Sequence, residues 1–533
     1  MSRDRKVLLP ACAAVFACAF LAYASSFGNR FLYGDDQNIV TNNLYLGDWS
    51  ALPRFFTRNY IAGAGLASNF YRPAQMTIYA LIVHAVGRVP WAFHLASVGF
   101  HGLCGVLLLL LLLELLPQAD LALCAALAAL WTMHPIAAEE IAMTTGLATP
   151  AYTAALLAAV LCFLRALESG TRAFAWRSAA LAAFAFGLAS KESAVVAPAL
   201  LALAHWLRHP EKRDRASLLS HLPFWGLAAV YVGLRLTWLD FGGTLDFYQQ
   251  GNAFTQSLTA RLCTLSTALA YGGWAFAVPT TLAPHRDWPI FTSPRQVPVI
   301  LSLAALAAAA ALALAWRSRK PAVAAGLLWY LVCYAPFSNL WAKINAVFYD
   351  HWLYAPSIGL VLIAGALMQR PRRAPWPAIV GALALAFGIA TSRRSLIWKD
   401  SASYFGMMVR QQPAVARNWT NYGISLMEQQ LFPQAAMAFQ RAIALQDEFP
   451  QSHHDLARSL LAMNQPAPAE AEYLRALKMD PGFYYSRVDL AGLYMRQGRK
   501  SEALTQLLAL QKTFPQDAGL AQSIALLSAQ PRR

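Results

Sequence analysis

Long apolar runs alternate with short polar segments over the first three quarters of the chain. A helix of about twenty apolar residues spans a bilayer. About eleven segments approach this length with their flanking residues, and we predict that each crosses a membrane. They are residues 7–27, 91–116, 120–133, 147–167, 176–190, 193–207, 221–238, 297–316, 322–336, 352–368 and 376–391. Two further stretches, 72–89 and 261–278, are predicted to lie at the membrane interface or to re-enter it.

The pattern changes at Asp400, after which the composition is that of a soluble helical domain. Small, bulky and turn-forming residues recur there with a period of about 34 residues, which is typical of tetratricopeptide repeats. The small positions are Gly423, Ala457 and Ala491, the bulky positions are Phe439, Tyr473 and Leu507, and the turn positions are Gln430, Asn464 and Gly498. Small residues let paired helices approach closely, and bulky ones fill the space between repeats.

The two patterns together predict an all-α protein with two domains. Residues 1–399 form a polytopic membrane domain, and residues 400–533 form an α-solenoid of about three repeats. The concave face of a solenoid favours a peptide or protein partner. The alternative is that the repeats only brace the membrane domain.

Composition and charge agree with a multi-pass membrane protein, since 57% of the 533 residues are hydrophobic and 13% are charged. The net charge of +16 comes mainly from short clusters between apolar runs, namely Arg165/Arg172/Arg177, Arg208/Lys212/Arg213/Arg215, Arg317/Arg319/Lys320 and Arg370/Arg372/Arg373. Cations of this kind mark the cytoplasmic side of a membrane. The N-terminus is therefore predicted to be cytoplasmic and, after an odd number of spans, the repeats lie outside.

Several classes of site are excluded or left without support. No basic and aromatic binding module accompanies the positively charged residues, so nucleic acid is not a predicted partner. All seven cysteines lie inside apolar segments, so neither a disulfide nor a zinc site is predicted. Residues 1–27 are interpreted as a permanent helix rather than a removable signal peptide.

Asp35 and Asp36 emerge on the outer side, just after the first predicted span. Two adjacent carboxylates that lose solvent repel each other, so one can acquire the raised pKa of a general base. The alternative is that they cap a helix by accepting backbone N–H bonds.

Other ionisable residues are predicted to share this membrane level although they come from separate loops. Charged groups at the bilayer edge are costly, which favours a functional role. A carboxylate could accept a hydroxyl proton while a cation neutralises a departing phosphate. The candidates are Arg72, His134, Glu139, Glu140, Lys191, Glu192, Lys343, Asp350 and His351. For several of them a helix cap, a helix-end residue or a snorkelling pair is the alternative.

Motifs spread over nearly the whole chain resemble one family. They are GDDQNIVTNN (34–43), YRP (71–73), FHLASVGFHG (93–102), MHPIAAEEIAMTTGLAT (133–149), ASKESAVV (189–196), FYDHWLYAPSIGL (348–360) and RRSLIWKD (393–400). In this order, and followed by the repeats, they resemble the transmembrane and tetratricopeptide-repeat proteins of the GT-C glycosyltransferase superfamily, which are related to protein O-mannosyltransferases. The resemblance implies transfer of a sugar from a polyprenyl or dolichyl phosphate to a protein side chain.

The resemblance also implies roles for individual residues. It makes Asp35 the general base, Asp36 its neighbour and Glu139 the acid of the second outer loop. Two departures concern the donor: Asp350-His351 replaces a usual Glu-Arg pair, and Gly146-Leu-Ala-Thr149 replaces Gly-Arg-Ala-Asp.

With those cations missing, Lys191, Arg72 or Lys343 is the expected phosphate contact. Metal use stays open, with Mg²⁺ or Mn²⁺ as the candidate ions.

The resulting expectation is an inverting glycosyltransferase of a bacterial inner membrane. Its active site and repeat domain face the periplasm, its donor is a polyprenyl-phosphate-linked sugar, and its repeats recruit a protein acceptor. Two alternatives stay open. One is a glycan polymerase or ligase that uses lipid-linked sugars and depends on an outer Arg/His pair. The other is a membrane-anchored repeat scaffold for envelope assembly, without catalysis.

Overall fold

The computed structural model describes residues 5–212, 214–241, 251–284, 286–341, 344, 346–369 and 375–529. These residues fold into helices and connecting loops, without a strand among them, so the all-α prediction is confirmed. The chain divides into two compact units, Met1–Lys399 and Asp400–Arg533.

The first unit contains helices of very different length. Their bounds are α1 (Arg5–Ala22), α2 (Leu52–Phe55), α3 (Pro73–Val86), α4 (Pro90–Leu115), α5 (Leu121–Thr132), α6 (Ala138–Ala142), α7 (Ala148–Glu168), α8 (Ala173–Ser190), α9 (Ala197–Arg208), α10 (Arg215–Leu219), α11 (Leu222–Arg235), α12 (Ala253–Gln256), α13 (Leu258–Ala277), α14 (Val297–Ala315), α15 (Pro321–Tyr334), α16 (Ser357–Met368) and α17 (Trp376–Ser395). Short 3₁₀ turns join several of them, including Ala24–Gly28, Pro135–Ala137, Glu192–Val196, Asp350–Leu353 and Leu396–Trp398.

Eight helical segments of the described residues are long and apolar enough to cross a membrane. They are Arg5–Ala22, Pro90–Leu115, Leu121–Ala142, Thr144–Glu168, Ala173–Ser190, Arg215–Arg235, Val297–Ala315 and Trp376–Trp398. The other three predicted spans fall on the shorter helices α9, α15 and α16. The protein is therefore a multi-pass membrane protein.

Burial separates a central helix from peripheral ones. The most apolar part of Thr144–Glu168, which contains α7, is 83% buried inside the protein, whereas that of Val297–Ala315 is only 11% buried. A Cβ on Gly187 of α8 would lie 3.3 Å from the Cβ of Ala155 on α7, so the missing side chain allows these helices to pack closely. Helix α7 thus supplies the core, and α14 leaves an apolar surface that suits lipid.

Helices α15 and α16 cross at a pair of glycines. A Cβ on Gly359 would lie 2.2 Å from the backbone oxygen of Gly326, and one on Gly326 would lie 2.5 Å from the oxygen of Gly359. No larger residue fits at this crossing. The contact fixes the start of α16, which directly follows the turn Asp350–Leu353 that carries two candidate site residues.

The second unit is a row of helices of similar length. Their bounds are α18 (Ser401–Gln411), α19 (Ala416–Glu428), α20 (Phe432–Leu445), α21 (Pro450–Ala462), α22 (Pro466–Met479), α23 (Tyr484–Arg496), α24 (Lys500–Thr513) and α25 (Ala518–Ala529). The turn positions Gln430, Asn464 and Gly498 all have positive φ, between 57° and 77°, and each ends the first helix of a pair.

The other repeat positions also match the predicted roles. Gly423 is buried, and a Cβ added there would lie 2.6 Å from the Phe439 ring. Phe439 and Tyr473 are both 0% exposed. The 34-residue pattern therefore corresponds to stacked helix pairs, as the sequence predicts.

We expect Gly359→Ala to destabilise the membrane unit, because its methyl group would overlap the backbone of α15. Overpacking of this kind costs about 1–3 kcal/mol. The melting temperature of the purified protein in detergent measures the effect. Gly381→Ala on α17 is the matched control, since nothing lies within 4 Å of the added carbon. Equal melting temperatures for the two variants would contradict the close crossing.

Candidate active site

Asp35 and Asp36 occupy different environments in the loop between α1 and α2. Asp36 is 1% exposed, and its Oδ2 accepts a hydrogen bond of 2.8 Å from the Leu32 N–H. Burial raises the pKa of Asp36 to about 7, although the bond from Leu32 acts in the other direction. Asp35 is exposed and also raises the pKa of Asp36 by charge repulsion.

The capping alternative does not describe Asp36. It directly precedes the short helical turn Gln37–Thr41, but its side chain makes no capping hydrogen bond there. Its carboxylate instead points back to the Leu32 amide. The pair therefore consists of one buried carboxyl that takes up a proton near neutral pH and one carboxylate open to solvent.

Glu139 and Glu140 begin the short helix α6 and contact residues from two distant segments. The Glu139 Oε1 lies 2.8 Å from Nδ1 of His351, and the Glu140 Oε1 lies 3.9 Å from Nε2 of the same ring. The Glu140 Oε1 also lies 3.5 Å from Nζ of Lys191. Both acids therefore serve as partners of cations and not only as favourable charges at a helix start.

Lys191 is buried rather than extended toward water, which excludes the snorkelling alternative. It is 7% exposed, and its Nζ donates a hydrogen bond of 2.6 Å to Thr149 Oγ1. The ammonium also lies within 6 Å of the Tyr152 and Phe337 rings. Thr149, at the position where the family resemblance leads one to expect an acid, thus holds this cation together with Glu140.

Glu192, the neighbour of Lys191, pairs with a different cation. Its carboxylate lies 3.9 Å from the guanidinium of Arg72, which also lies over the rings of Tyr60 and Phe70. Burial raises the pKa of Tyr60; Arg72 lowers it, and Asp35 and Glu192 raise it further. Arg72 therefore lies against the Tyr60 ring, and the charges of Asp35 and Glu192 act on the same phenol.

Asp350 forms an ion pair with Arg286, a residue that the sequence analysis did not single out. Arg286 donates to both carboxylate oxygens, with Nε–Oδ1 at 3.3 Å and Nη2–Oδ2 at 3.1 Å. The Ala283 N–H also donates to Oδ2 at 2.6 Å, and Asp350 is 3% exposed. Because its hydrogen bonds go to groups of the protein, Asp350 fixes the loop around residue 283 to the turn Asp350–Leu353.

Arg394, at the end of α17, is a second cation that was not among the candidates. Its Nη1 donates 2.8 Å to the Leu282 carbonyl, and its guanidinium lies over the Trp398 ring. The carboxylates of Glu139 and Asp350 lie close enough to act on its charge. Arg394 thus lies near the same group of charged residues as Glu139 and Asp350.

His134 has a structural place in the loop between α5 and α6. Its Nε2 lies 2.8 Å from the Phe276 carbonyl, and its Nδ1 accepts a bond of 3.1 Å from the Ile136 N–H. The ring is buried and stacks on Phe276. With both nitrogens engaged, His134 secures this loop and offers no free nitrogen to a substrate.

Two further expectations receive no support from the geometry. Lys343 lies outside the described residues, so its predicted phosphate contact stays a prediction. Among the described residues, no three His, Cys, Asp or Glu side chains are grouped so that they could hold a metal ion. The acids described above therefore do not fit a protein-only Mg²⁺ or Mn²⁺ site, and metal use also stays a prediction.

Tyr349 lies beside His351 and is affected by two carboxylates. Burial raises its pKa to about 12, with further contributions from Glu139 and Asp35. Its ring stacks on His351 with centroids 5.1 Å apart. Asp35 and Glu139, although far apart in sequence, therefore both lie near enough for their charges to act on one phenol.

We expect Lys191→Met to destabilise the membrane unit by about 3–5 kcal/mol, because it leaves the buried Glu140 without its nearest cation. The double variant Lys191→Met/Glu140→Gln should recover most of this loss, as measured by the melting temperature in detergent. Arg475→Met is the control, since its pair with Glu472 involves a side chain that is 64% exposed and such pairs contribute about 0–1 kcal/mol. A double variant as unstable as the single one would contradict the pairing.

Comparison with known proteins gives relatives that are all named protein O-mannosyl-transferases. No protein-family model matches the chain. Protein O-mannosyl-transferase Tmtc3 of Drosophila melanogaster is 26% identical over 288 residues, which cover 49% of this chain and 31% of that protein. Protein O-mannosyl-transferases TMTC1 of Mus musculus and Homo sapiens are 23% and 25% identical, covering 83% and 82% of this chain.

The chain spans only part of the length of these relatives, 59% of the mouse protein and 55% of the human one. Among solved structures, the APC/C hetero-tetramer Cut9-Hcn1 matches 85% of this chain and 93% of its own, with 12% identity and a TM-score of 0.23. A TM-score this low does not establish a shared fold. The resemblance based on the motifs is nevertheless confirmed, since these relatives are protein O-mannosyl-transferases.

Proposed function

We propose that this protein is a GT-C type glycosyltransferase that moves a sugar from a polyprenyl-phosphate donor to a hydroxyl group of a protein. The single observation that carries the proposal is that the charges of Asp35 and Glu139 both act on Tyr349, whose ring stacks on His351. An exposed carboxylate and a histidine–carboxylate pair therefore lie near one phenol. The names of the relatives make mannose the candidate sugar.

In this proposal Asp35 is the general base. It is exposed, so an acceptor hydroxyl can reach it, whereas Asp36 is buried and bonded to Leu32. The hydroxyl oxygen attacks the anomeric carbon while the bond from that carbon to the phosphate oxygen breaks, and the hydroxyl proton passes to Asp35. A single displacement of this kind inverts the anomeric configuration. The departing phosphate retains the electron pair and is stabilised by nearby cations.

Asp36 supports the base by its protonation state. Its raised pKa keeps it partly protonated at neutral pH, which limits the charge repulsion on Asp35. The Leu32 bond fixes its position beside the base. Asp36 is therefore a positioning residue, because its contacts are with the protein.

The proposed orientation follows the charge distribution. The cationic clusters between apolar runs mark the cytoplasmic side, so the outer cluster and the repeats face the opposite side, the periplasm of a bacterial cell. The lipid phosphate of the donor lies at the membrane edge, at the depth of the cluster. The stacked helix pairs of the second unit would recruit the acceptor protein through their concave face.

A glycan polymerase or ligase is the second candidate, since such an enzyme would depend on an outer Arg/His pair. Arg394 and His351 favour it, because both act on the Glu139 carboxylate. It would use the same donor class but a sugar acceptor. The product separates the two candidates, as a modified peptide indicates the first and an altered surface glycan the second.

We expect Asp35→Asn to lower sugar transfer by a factor of about 10²–10⁴, because the amide cannot accept the acceptor proton. Mass spectrometry of periplasmic peptides from cells that carry each variant would show the loss of a fixed mass on Ser, Thr or Tyr. Asp48→Asn is the matched control, since Asp48 lies in the same loop and only caps a local turn through Ser50.

Unchanged glycopeptides in the Asp35→Asn cells would contradict the assignment of the base. If the peptides stay unchanged while a surface glycan is altered, the polymerase or ligase candidate is favoured. If neither changes, a non-enzymatic repeat scaffold is favoured.

A further inference from the structure

His351 is anchored through one ring nitrogen and open at the other. Its Nδ1 lies 2.8 Å from Glu139, whereas its Nε2 lies 3.9 Å from the nearer Glu140 oxygen, which is beyond hydrogen-bond distance. The side chain is 19% exposed, and Tyr349 stacks against its face. A carboxylate that orients one imidazole nitrogen and leaves the other free is the arrangement found where histidine acts on a substrate.

The charges around His351 favour its protonated form. Burial lowers the pKa of His351, but the carboxylates of Glu139 and Glu140 raise it more strongly, and Lys191 lowers it again, so that the net shift is upward. On its own turn Asp350 is paired with Arg286, and the charge of Glu139 also acts on Arg394 of α17. The upward shift favours the protonated imidazole, in which Nε2 has an N–H to donate.

The other described cations of the cluster are already engaged. Lys191 is buried against Glu140 and Thr149, Arg72 pairs with Glu192, and Arg286 pairs with Asp350. Arg394 donates to the Leu282 carbonyl. A phosphate placed against any of these cations would compete with an acceptor that the protein already supplies. His351 differs, because its Nε2 has no hydrogen-bond partner among the described residues, while its charge is held by a carboxylate on the opposite nitrogen.

We propose that the protonated imidazole of His351 donates its Nε2 hydrogen to the phosphate group of the lipid-linked donor. This inference rests on the proposed function and assigns the phosphate contact to a residue other than Lys191, Arg72 or Lys343. Because the contact needs the proton, donor binding is strong below the raised pKa of His351 and weakens as pH rises through it. An arginine at this position would bind without that dependence.

The test is direct binding of farnesyl phosphate to the full-length protein in nanodiscs at pH 6 and pH 9. A charge-assisted hydrogen bond corresponds to about a tenfold to hundredfold change in affinity. We expect the wild-type dissociation constant to rise at least tenfold between the two pH values. His351→Arg should remove this rise, and His351→Gln should bind weakly at both. Comparing variants at one pH removes the contribution of the phosphate's own titration.

Two further variants serve as controls. His453→Gln changes another histidine that lies between two carboxylates, Glu472 and Asp447, in the repeat unit. It should leave farnesyl phosphate binding and its pH dependence unchanged. Asp36→Asn removes the other group of the cluster that titrates near neutral pH. If Asp36→Asn abolishes the pH dependence of binding and His351→Arg does not, the pH dependence comes from Asp36 and the inference is overturned.

Further outcomes of these binding measurements also test the phosphate contact of His351. Equal affinities of wild type and His351→Gln at both pH values would overturn the inference. Competition by inorganic phosphate at the same concentration as farnesyl phosphate would point to a site for soluble phosphate and would also overturn it. Asp35→Asn should bind farnesyl phosphate normally while losing transfer. If Asp35→Asn transfers sugar normally but His351 behaves as expected, the proposed base fails and the phosphate contact stands.

Discussion

The pairing of buried charges at one level of the membrane unit is the constraint on which the site depends. An ionised side chain removed from water is tolerated when an opposite charge and hydrogen bonds replace its solvent. Lys191, Glu140, His351 and Glu139 meet this condition as one chain of contacts. The chain joins α6, the end of α8 and the turn before α16, so the ion pairs set the relative positions of loops that the apolar helices alone leave free.

The same constraint separates structural from chemical roles. Groups whose polar atoms are all engaged, such as His134 and Asp350, hold loops together. Groups with a solvent-exposed carboxylate or a ring nitrogen that makes no hydrogen bond among the described residues can act on a substrate. These are Asp35, whose carboxylate is exposed, and His351, whose Nε2 lies 3.9 Å from the nearest carboxylate oxygen. The proposed reaction assigns its base and its phosphate contact to these two residues.

Sequence reasoning succeeded where the signal is periodic or local. Apolar length located the spans, and the recurrence of Gln430, Asn464 and Gly498 located the repeat turns, because a left-handed residue is needed at each helix end. It did not identify Arg286 or Arg394, and it left open whether Lys191 is buried. Those facts depend on contacts between segments far apart in the chain, such as Glu140 with Lys191 and Asp350 with Arg286, which no local pattern encodes.

The most direct measurement is an electron cryomicroscopy structure of the full-length protein with a non-hydrolysable polyprenyl-phosphate sugar analogue. We predict that the phosphate lies within hydrogen-bond distance of His351 Nε2 and that Asp35 faces the anomeric carbon from the side opposite the phosphate. A phosphate bound away from the cluster formed by Glu139, Tyr349 and His351, or an anomeric carbon that Asp35 does not face, would contradict it.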